Sequence, residues 1–379
     1  MTYLRQVCFL LIFYLSIAPL FSVKPKEPIR GVWLTTNYQL DWPSRAGLTP
    51  EIVENQKQEL RSMVQDLSNL GINAIFFQAR LRGTTFYNSK IEPYSRYLTN
   101  GANLISSFDP LEYVVSLCKA YDMQCHAWII CMPLGGTAEI KRGGVLPFFN
   151  KNKQYLTYHK GSWYLEPAHP FAAEYLASIA SEIATMYAVD GIHLDYIRYP
   201  ENLNVYPDEK LYKNSKTKKS LAEWRRDNIT KIVCEIYDRV KAVDSSIQVS
   251  SAPIGFLNPY VNDEYFGWNA FDGVCQDVEK WVELGKQDFL VPMIYFDTPL
   301  YVKAFTDWKN SITEVPVIPG LGVYKLDEID TQWKYGDITQ QLHIAETLGE
   351  QGYVLFRTEN VLKSNPMLFW MLRSHNLTD

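Results

Sequence analysis

What this chain has little of narrows its chemistry first. It has six cysteines and no Cys-x-x-Cys pair, which argues against a cysteine metal site. Five of them, Cys118, Cys125, Cys131, Cys234 and Cys275, lie beyond the N-terminal segment, and an odd number makes no disulfide framework. Mostly buried free thiols are the expected state. No basic excess exists: the formal net charge is -5, so the electrostatic footprint of a nucleic-acid binder is missing. There is no His-x-x-x-His and no carboxylate cluster at metal-ligand spacing, so no metal is expected. No Gly-x-Gly-x-x-Gly turn follows an apolar strand, and no Gly-x-Ser-x-Gly elbow occurs. A nucleotide cofactor and a serine-hydrolase nucleophile both lose their usual signature, and no cofactor is expected. Beyond the first residues no apolar run is long enough to span a bilayer.

What is present is an ordinary globular composition with many aromatic rings. Hydrophobic residues make up 47% and charged residues 21% of the 379 positions, which suits one large domain or two ordinary ones. There are 25 Tyr and 10 Trp. Many will be core, but such a supply also suits stacking on sugar rings, whose apolar faces meet polar edges.

The N-terminus reads as a targeting segment. Arg5 precedes an apolar run from Val7 to Phe21, broken by Ser16 and Pro19, and polar Lys24 to Glu27 follows. This pattern predicts a secretory signal peptide over residues 1–23, cleaved near Ser22 or Val23. A transmembrane anchor is the alternative, but the run falls short of ~20 clean apolar residues. Cys8 lies inside the run and not in a Leu-x-x-Cys setting at its end, which argues against a lipoprotein. The expected product is exported, periplasmic or secreted, with no stable membrane insertion after cleavage.

From Arg30 onward apolar strands alternate with amphipathic helices. Strands are expected at Gly31–Thr35, Asn73–Arg80, Gln124–Ile130, Asp190 onward, Ile247–Ser251, Phe289–Tyr295, Val315–Gly320 and Gly352–Phe356. Proline inside the sixth and seventh leaves their limits open. Helices are expected from Thr49-Pro50 to about Leu70, from Asp109-Pro110, from Pro170, over 220–243, 276–284, 300–311 and 338–348, and from Val361 to Arg373. Leu111, Val114, Val115 and Cys118 share one face of the second helix, and Leu176, Ile179, Ile183 and Met186 one face of the third. Eight strands and about eight helices in strict alternation predict an α/β fold, a single-domain (β/α)8 TIM barrel over residues 28–375. An open doubly wound sheet is the alternative, without its glycine-rich turn. The polar, lysine-rich insertion from Glu201 to Lys219 follows the fourth strand, where a barrel keeps its active-site loops.

The run Asp190-Gly191-Ile192-His193-Leu194-Asp195-Tyr196-Ile197-Arg198-Tyr199-Pro200 carries the most information. It begins as a buried strand and ends in a carboxylate, a guanidinium and two phenols. Alternation sends Ile192, Leu194 and Tyr196 to one face and His193, Asp195 and Ile197 to the other. The bland reading is an Asp that caps the next loop. Charges are expensive to bury unpaired, so the strand end reads as the floor of a site.

In a barrel the strand C-termini and following loops build that site. They bring Trp33, Asn37, Gln78, Arg80, Arg82, His126, Trp128, Asp195, Tyr196, Arg198, Ser251, Tyr295, Asp297, Tyr324, Arg357 and Glu359 to one mouth. Glycoside hydrolysis fits this supply, because it needs one carboxyl as proton donor and a second as nucleophile or base. Asp195 is the first candidate. Asp277 is the second, although an acid at a helix start reads equally as a dipole partner. Glu166 and Glu264 are its rivals. Trp33, Gln78, Arg80, His126, Trp128, Tyr196, Arg198, Tyr295 and Arg357 are the candidate substrate-binding residues. His126 reads equally as a core histidine, and Arg80 as a partner of Asp195. A metal-assisted hydrolase using His126, His193 and Asp195 is a further alternative, and so is a glycan-binding barrel with little catalysis.

With these residues the chain resembles the glycosyl-hydrolase-like 10 family, also catalogued as domain of unknown function 187. The matching stretches run through almost the whole mature chain. They are Arg30 to Thr36 with Asp41-Trp42-Pro43, Asn73 to Arg80, Ser89 to Ser95, Asp109-Pro110-Leu111 and His126-Ala127-Trp128. Then come Pro167 to Pro170, Asp190 to Pro200, Trp224 to Asn228, Gln276-Asp277 with Trp281, and Pro292 to Phe296. The resemblance implies a (β/α)8 barrel in exported bacterial proteins, many of them from Bacteroidetes. It implies glycoside hydrolase activity, with some relatives acting on peptidoglycan glycan strands stripped of peptides. Asp195 resembles in position the nucleophile of the α-amylase and α-galactosidase clans. The chain departs from the family pattern at Gly83-Thr84, where many relatives have Gly-Asp, and at Ile130, where many have Asn. It departs again at Glu166 and Ala168, where Asn or Asp and Gly are common.

Overall fold

The computed structural model describes residues 27–101, 108–327, 333–350, 352–363 and 366–376. The expected signal segment lies outside them. Eight strands build the main sheet: β1 Arg30–Leu34, β2 Ala74–Leu81, β3 Gln124–Ile130, β4 Gly191–Asp195, β5 Gln248–Ser251, β6 Phe289–Leu290, β7 Gly320–Leu321 and β8 Tyr353–Phe356. Their order is β6-β5-β4-β3-β2-β1-β8-β7, and every neighbouring pair is parallel. The two ends of that order meet through parallel bridges, Leu290 to Val317 and Met293 to Gly320. Four backbone bonds hold this seam: Leu290 N to Pro316 O at 2.9 Å, Ile318 N to Leu290 O at 2.8 Å, Gly320 N to Pro292 O at 2.9 Å, and Ile294 N to Gly320 O at 3.0 Å. The sheet therefore curls into the expected (β/α)8 barrel.

The outer layer consists of α1 Pro50–Asn69, α2 Pro110–Ala120, α3 Pro170–Met186, α4 Leu221–Val243, α5 Val278–Glu283, α6 Thr298–Ser311, α7 Tyr335–Thr347 and α8 Pro366–Asn376. Their starts are written locally. Thr49 caps α1 ahead of Pro50, and Asp109 caps α2 by accepting from Glu112 N at 3.1 Å. Ser220 and Glu223 form a reciprocal capping box on α4.

The differences from expectation have local causes. β6 and β7 are two residues each, because Pro292, Pro316 and Pro319 have no N–H to give a ladder. Met186 is 40% exposed and leaves the apolar stripe of α3, where the helix ends and Tyr187 and Val189 take over the buried positions. The expected last helix is two, Thr358–Leu362 and Pro366–Asn376, in line with proline's preference for a first turn. Cys118, Cys125, Cys131 and Cys275 are buried free thiols and Cys234 is half-buried.

Inside the barrel Trp33, Phe76, His126, His193 and Phe289 pack ring on ring. His126 stacks on Phe76 at 4.7 Å between centroids, and His193 meets the same ring edge-on at 4.6 Å. The Trp33 indole N–H donates to His193 Nε2 at 3.1 Å, so His193 Nδ1 carries the proton toward Ser250 Oγ at 2.9 Å. Burial, and then the neighbouring His126, hold the His193 pKa well below its ordinary value. Gly191 makes room for this layer, since a Cβ there would stand 2.1 Å from His126 Nδ1.

Two buried ion pairs fix the loops. Arg80 grips Glu92 with Nε to Oε2 at 2.9 Å and Nη2 to Oε1 at 2.7 Å, and Nη1 donates to the carbonyls of Ile130 and Cys131. Arg225 of α4 holds Asp208 at 2.8 and 2.6 Å and so ties the insertion 201–219 to the barrel.

Gly191→Ala is expected to lose about 1–3 kcal/mol of stability through overpacking. A chemical denaturation midpoint equal to the wild type's would show that the His126 ring yields freely. Arg80→Met is expected to cost about 3–5 kcal/mol by leaving Glu92 buried and unpaired. Adding Glu92→Gln should restore most of that loss in the same denaturation assay, and a double variant no more stable than the single one would contradict the pairing.

Candidate active site

At the C-terminal ends of the strands lies a cavity of about 490 Å³. Trp33 of β1, Gln78 of β2, Trp128 and Ile130 of β3 and Asp195 of β4 line its floor. Tyr295 and Phe356 stack at 5.5 Å on the opposite wall. Tyr38, Arg82, Glu139, Tyr164 and Tyr196 line it as well. The size is that of a small-molecule site, ~300–1,000 Å³.

Asp195 is buried. Its Oδ2 accepts from the Trp128 indole at 3.1 Å, and Oδ1 accepts from the Tyr196 amide at 2.6 Å. Burial raises its pKa, opposed by the charge of Arg198 and by those two donors. The strand's alternation ends here. Tyr196 has φ of 50°, which turns its ring into the cavity, half exposed, in place of burying it beside Ile192 and Leu194. Tyr295 is half-buried by its surface, and burial followed by the charge of Asp195 pushes its phenol well up.

Gln78 organises the wall beside Asp195. Its Oε1 accepts from Thr35 Oγ1 at 3.0 Å, Thr36 N at 2.9 Å, Thr36 Oγ1 at 3.1 Å and Asn37 N at 2.8 Å. One side-chain oxygen thus shapes the loop after β1, which carries Tyr38. Tyr38 in turn donates to Glu139 Oε1 at 3.2 Å, and Arg82 pairs with the same oxygen at 2.6 Å. The Gly136 amide donates to Glu139 Oε2 at 2.9 Å. Asp195 and Glu139 are the carboxylates lining the cavity among the described residues.

Several of the sequence-selected residues lie elsewhere. Asp277 is half-buried at the start of α5, where its Oδ1 accepts from Lys280 N at 3.2 Å, and it does not line the cavity. The helix-start reading of that acid is the one the fold uses. Glu264 is exposed on a short hairpin and pairs with Lys303. Glu166 is buried outside the cavity, accepting from Thr157, from Ala168 N at 3.1 Å and from the Tyr206 hydroxyl at 3.0 Å. Arg80 is consumed by Glu92 and touches neither the cavity nor Asp195. His126 belongs to the interior ring layer, not to the mouth. Arg357 binds Asp41 at 2.6 Å, Glu359 at 2.8 Å and Leu40 O at 2.7 Å, and so pins the loop after β1 to the end of β8. Arg198 borders a side pocket next to the cavity. Of the mouth residues, Ser251 bonds Gln287, Asp297 caps α6, and Tyr324 packs edge-on against Tyr295. His193 has both ring nitrogens engaged, and no group of three or more metal-ligating side chains converges among the described residues.

Among the cavity residues that the sequence reading passed over are Glu139, Tyr38 and Tyr164. The available signal was the long connection from Cys131 to His169, between β3 and α3. Connections of that length inside a barrel are usually functional. Gly135-Gly136 followed by Glu139 marks a turn into the short helix Thr137–Arg142.

Comparisons with known proteins bear on the family and the fold. The chain is 25% identical to the glycosyl hydrolase DigH of Escherichia coli K12, across 91% of this chain and 86% of that protein. It is 25% identical to the glycosyl hydrolase YngK of Bacillus subtilis, across 85% of this chain, and spans 66% of that protein's length. Among solved structures it resembles the glycoside hydrolase domain of PgaB (BpsB) from Bordetella bronchiseptica. The TM-score is 0.64 at 13% identity, covering 94% of this chain and 100% of that one. It also resembles the endo-1,4-beta-mannanase of Rhizomucor miehei, with a TM-score of 0.57 at 13% identity, covering 92% and 94%. At such identities the structural likeness shows the fold alone. Residues 28–335 match the model of the family described as Glycosyl hydrolase-like 10, and the chain belongs to that family.

Proposed function

We propose that this chain is an exported glycoside hydrolase acting on a cell-envelope or other polysaccharide, with peptide-stripped peptidoglycan glycan strands as the first substrate to try. The observation that carries this reading is Asp195, a buried carboxylate at the floor of an aromatic-lined cavity, with a second carboxylate, Glu139, on the wall. The apolar N-terminal run supports export, and the net charge of -5 fits a neutral or sugar partner better than nucleic acid.

In this mechanism a sugar ring lies against Trp33, Tyr196 and Tyr295, which offer apolar faces with polar edges. Trp128 and the Tyr196 amide hold the Asp195 carboxylate in one orientation, suited to a nucleophile or to a charge that stabilises an oxocarbenium-like transition state. Glu139 replaces Asp277 as the acid/base. Arg82 and Tyr38 orient it, and the Glu139–Arg82 pair must open or shift for a proton to reach the leaving oxygen. A glycan-binding barrel with little catalysis is the second reading. It is favoured by that ion pair and by Ile130, an apolar side chain in register with Asp195.

The test uses protein lacking residues before Lys24, incubated with intact and with peptide-stripped peptidoglycan, with soluble products read by mass spectrometry. Wild type should release sugar oligomers and Asp195→Asn should release none. Glu139→Gln is expected to slow release by about 10²–10⁴-fold. Retained sedimentation on glycan without release by the wild type would favour the binding barrel, and full activity in Asp195→Asn would remove that residue from the mechanism.

A pH profile adds a second check. Burial raises the Asp195 pKa above the ordinary 3.8, and the charge of Arg198 lowers it. The ionised form is the active one, so kcat/KM should fall as pH falls through a value above the ordinary aspartate range. Arg198→Gln should move that acid limb to still higher pH, and an unmoved limb would sever the link between Arg198 and Asp195.

A further inference from the structure

Beside the main cavity, and sharing Pro133, Tyr164 and Tyr196 with it, lies a side pocket of about 260 Å³. Arg198 lines it and is only 9% exposed. Its Nη1 is fully buried and has no hydrogen-bond partner. Among the described residues the guanidinium makes neither a hydrogen bond nor an ion pair. It lies against the face of the Tyr196 ring, 4.2 Å from Cζ to the ring centroid.

The other well-buried arginines of this chain are treated differently. Arg80 and Arg225 each grip a carboxylate with two nitrogens and donate to backbone carbonyls as well, and the part-buried Arg357 has three oxygen partners. Burying a guanidinium without acceptors is costly. Its electrostatic service to Asp195 acts at a distance, without a hydrogen bond, and leaves the donors empty.

We infer that the side pocket is a subsite for the carboxylate of an acidic sugar unit, bound next to the unit that sits over Asp195. This rests on the glycosidase reading and narrows its substrate class. Tyr196 covers one face of the guanidinium, and the unpartnered donors suit a planar, two-oxygen acceptor, the geometry that an arginine fork matches best. Lys160, exposed on the pocket rim, adds positive charge. Glu201 is the acidic side chain on the lining; it is exposed and pairs with no cation among the described residues, so solvent screens it. Tyr164 stands between the two spaces and lines both, where successive sugar rings would pass.

The experiment measures binding to the Asp195→Asn protein, so that no turnover intervenes. The probes are oligosaccharides from peptide-stripped peptidoglycan, oligogalacturonate and oligomannuronate, each beside its twin with carboxyls reduced to alcohols. At least one acidic member should bind about 10-fold or more tightly than its reduced twin. Adding Arg198→Gln should bring that ratio to about one, and Arg198→Lys, which keeps the charge without the fork, should leave it in between. The ratio within a pair cancels any general effect of the substitution on folding. No preference in any pair, binding of none of them, or a preference untouched in both Arg198 variants overturns the subsite. If the wild type hydrolyses nothing while the preference and its loss are seen, the hydrolase reading falls and the subsite stands. Hydrolysis of acidic and reduced twins at equal rates and affinities would do the reverse.

Discussion

Everything in this molecule depends on eight parallel strands closing on themselves around a layer of aromatic and imidazole rings. Parallel pairing puts all strand C-termini at one end, so side chains distant in sequence reach one space without a dedicated loop for each. The ring layer of Trp33, Phe76, His126, His193 and Phe289 plugs the barrel below that space. It turns a tube into a cup with a solid floor. Asp195 stands on that floor, and the bond from Trp33 to His193 to Ser250 locks the layer directly beneath it in one tautomeric state.

The barrel was legible because period-2 apolar runs and capped helices repeat along the chain, and Asp195 because a buried strand that ends in a charge needs a reason. Arg80 misled for a specific cause. Gln78 and Arg80 are two apart and should share a face. The register of β2 against β3 shifts between them, so Gln78 pairs with Trp128 and Arg80 with Ile129. That bulge sends Arg80 away to Glu92 while Gln78 stays in the cavity. No single-strand pattern records a bulge that a partner strand imposes.

The carboxylates divide along the same line. Asp277 caps one short helix and Glu139 sits in the first turn of another, and local sequence cannot separate a cap from a reactive group. Only the tertiary placement of the β3–α3 connection brings Glu139 to the wall, through a three-stranded sheet of residues 133–135, 156–159 and 162–165 that also delivers Tyr164. His126 likewise carried no mark of its role. A histidine two residues before Trp128 on one strand reads as mouth or as core, and the stacking on Phe76 decides. The barrel rule, which assigns strand ends to the mouth, places Trp128 and Asp195 in the cavity, whereas His126, two residues before Trp128, lies in the ring layer below.

The seam between β6 and β7 has a consequence for access to the cavity. Most neighbouring strands are zipped by regular ladders, but here three prolines leave four backbone bonds between the segments around Leu290 and Gly320. Met293 and Tyr295, just past this join, line the cavity. The ladders run to four to six residue pairs between β1 and β5, where Asp195 stands, and to two beside β6 and β7. Thermal breathing concentrates where ladder bonds are fewest. A ligand entering the cup would meet a wall that gives more readily than the one that carries Asp195.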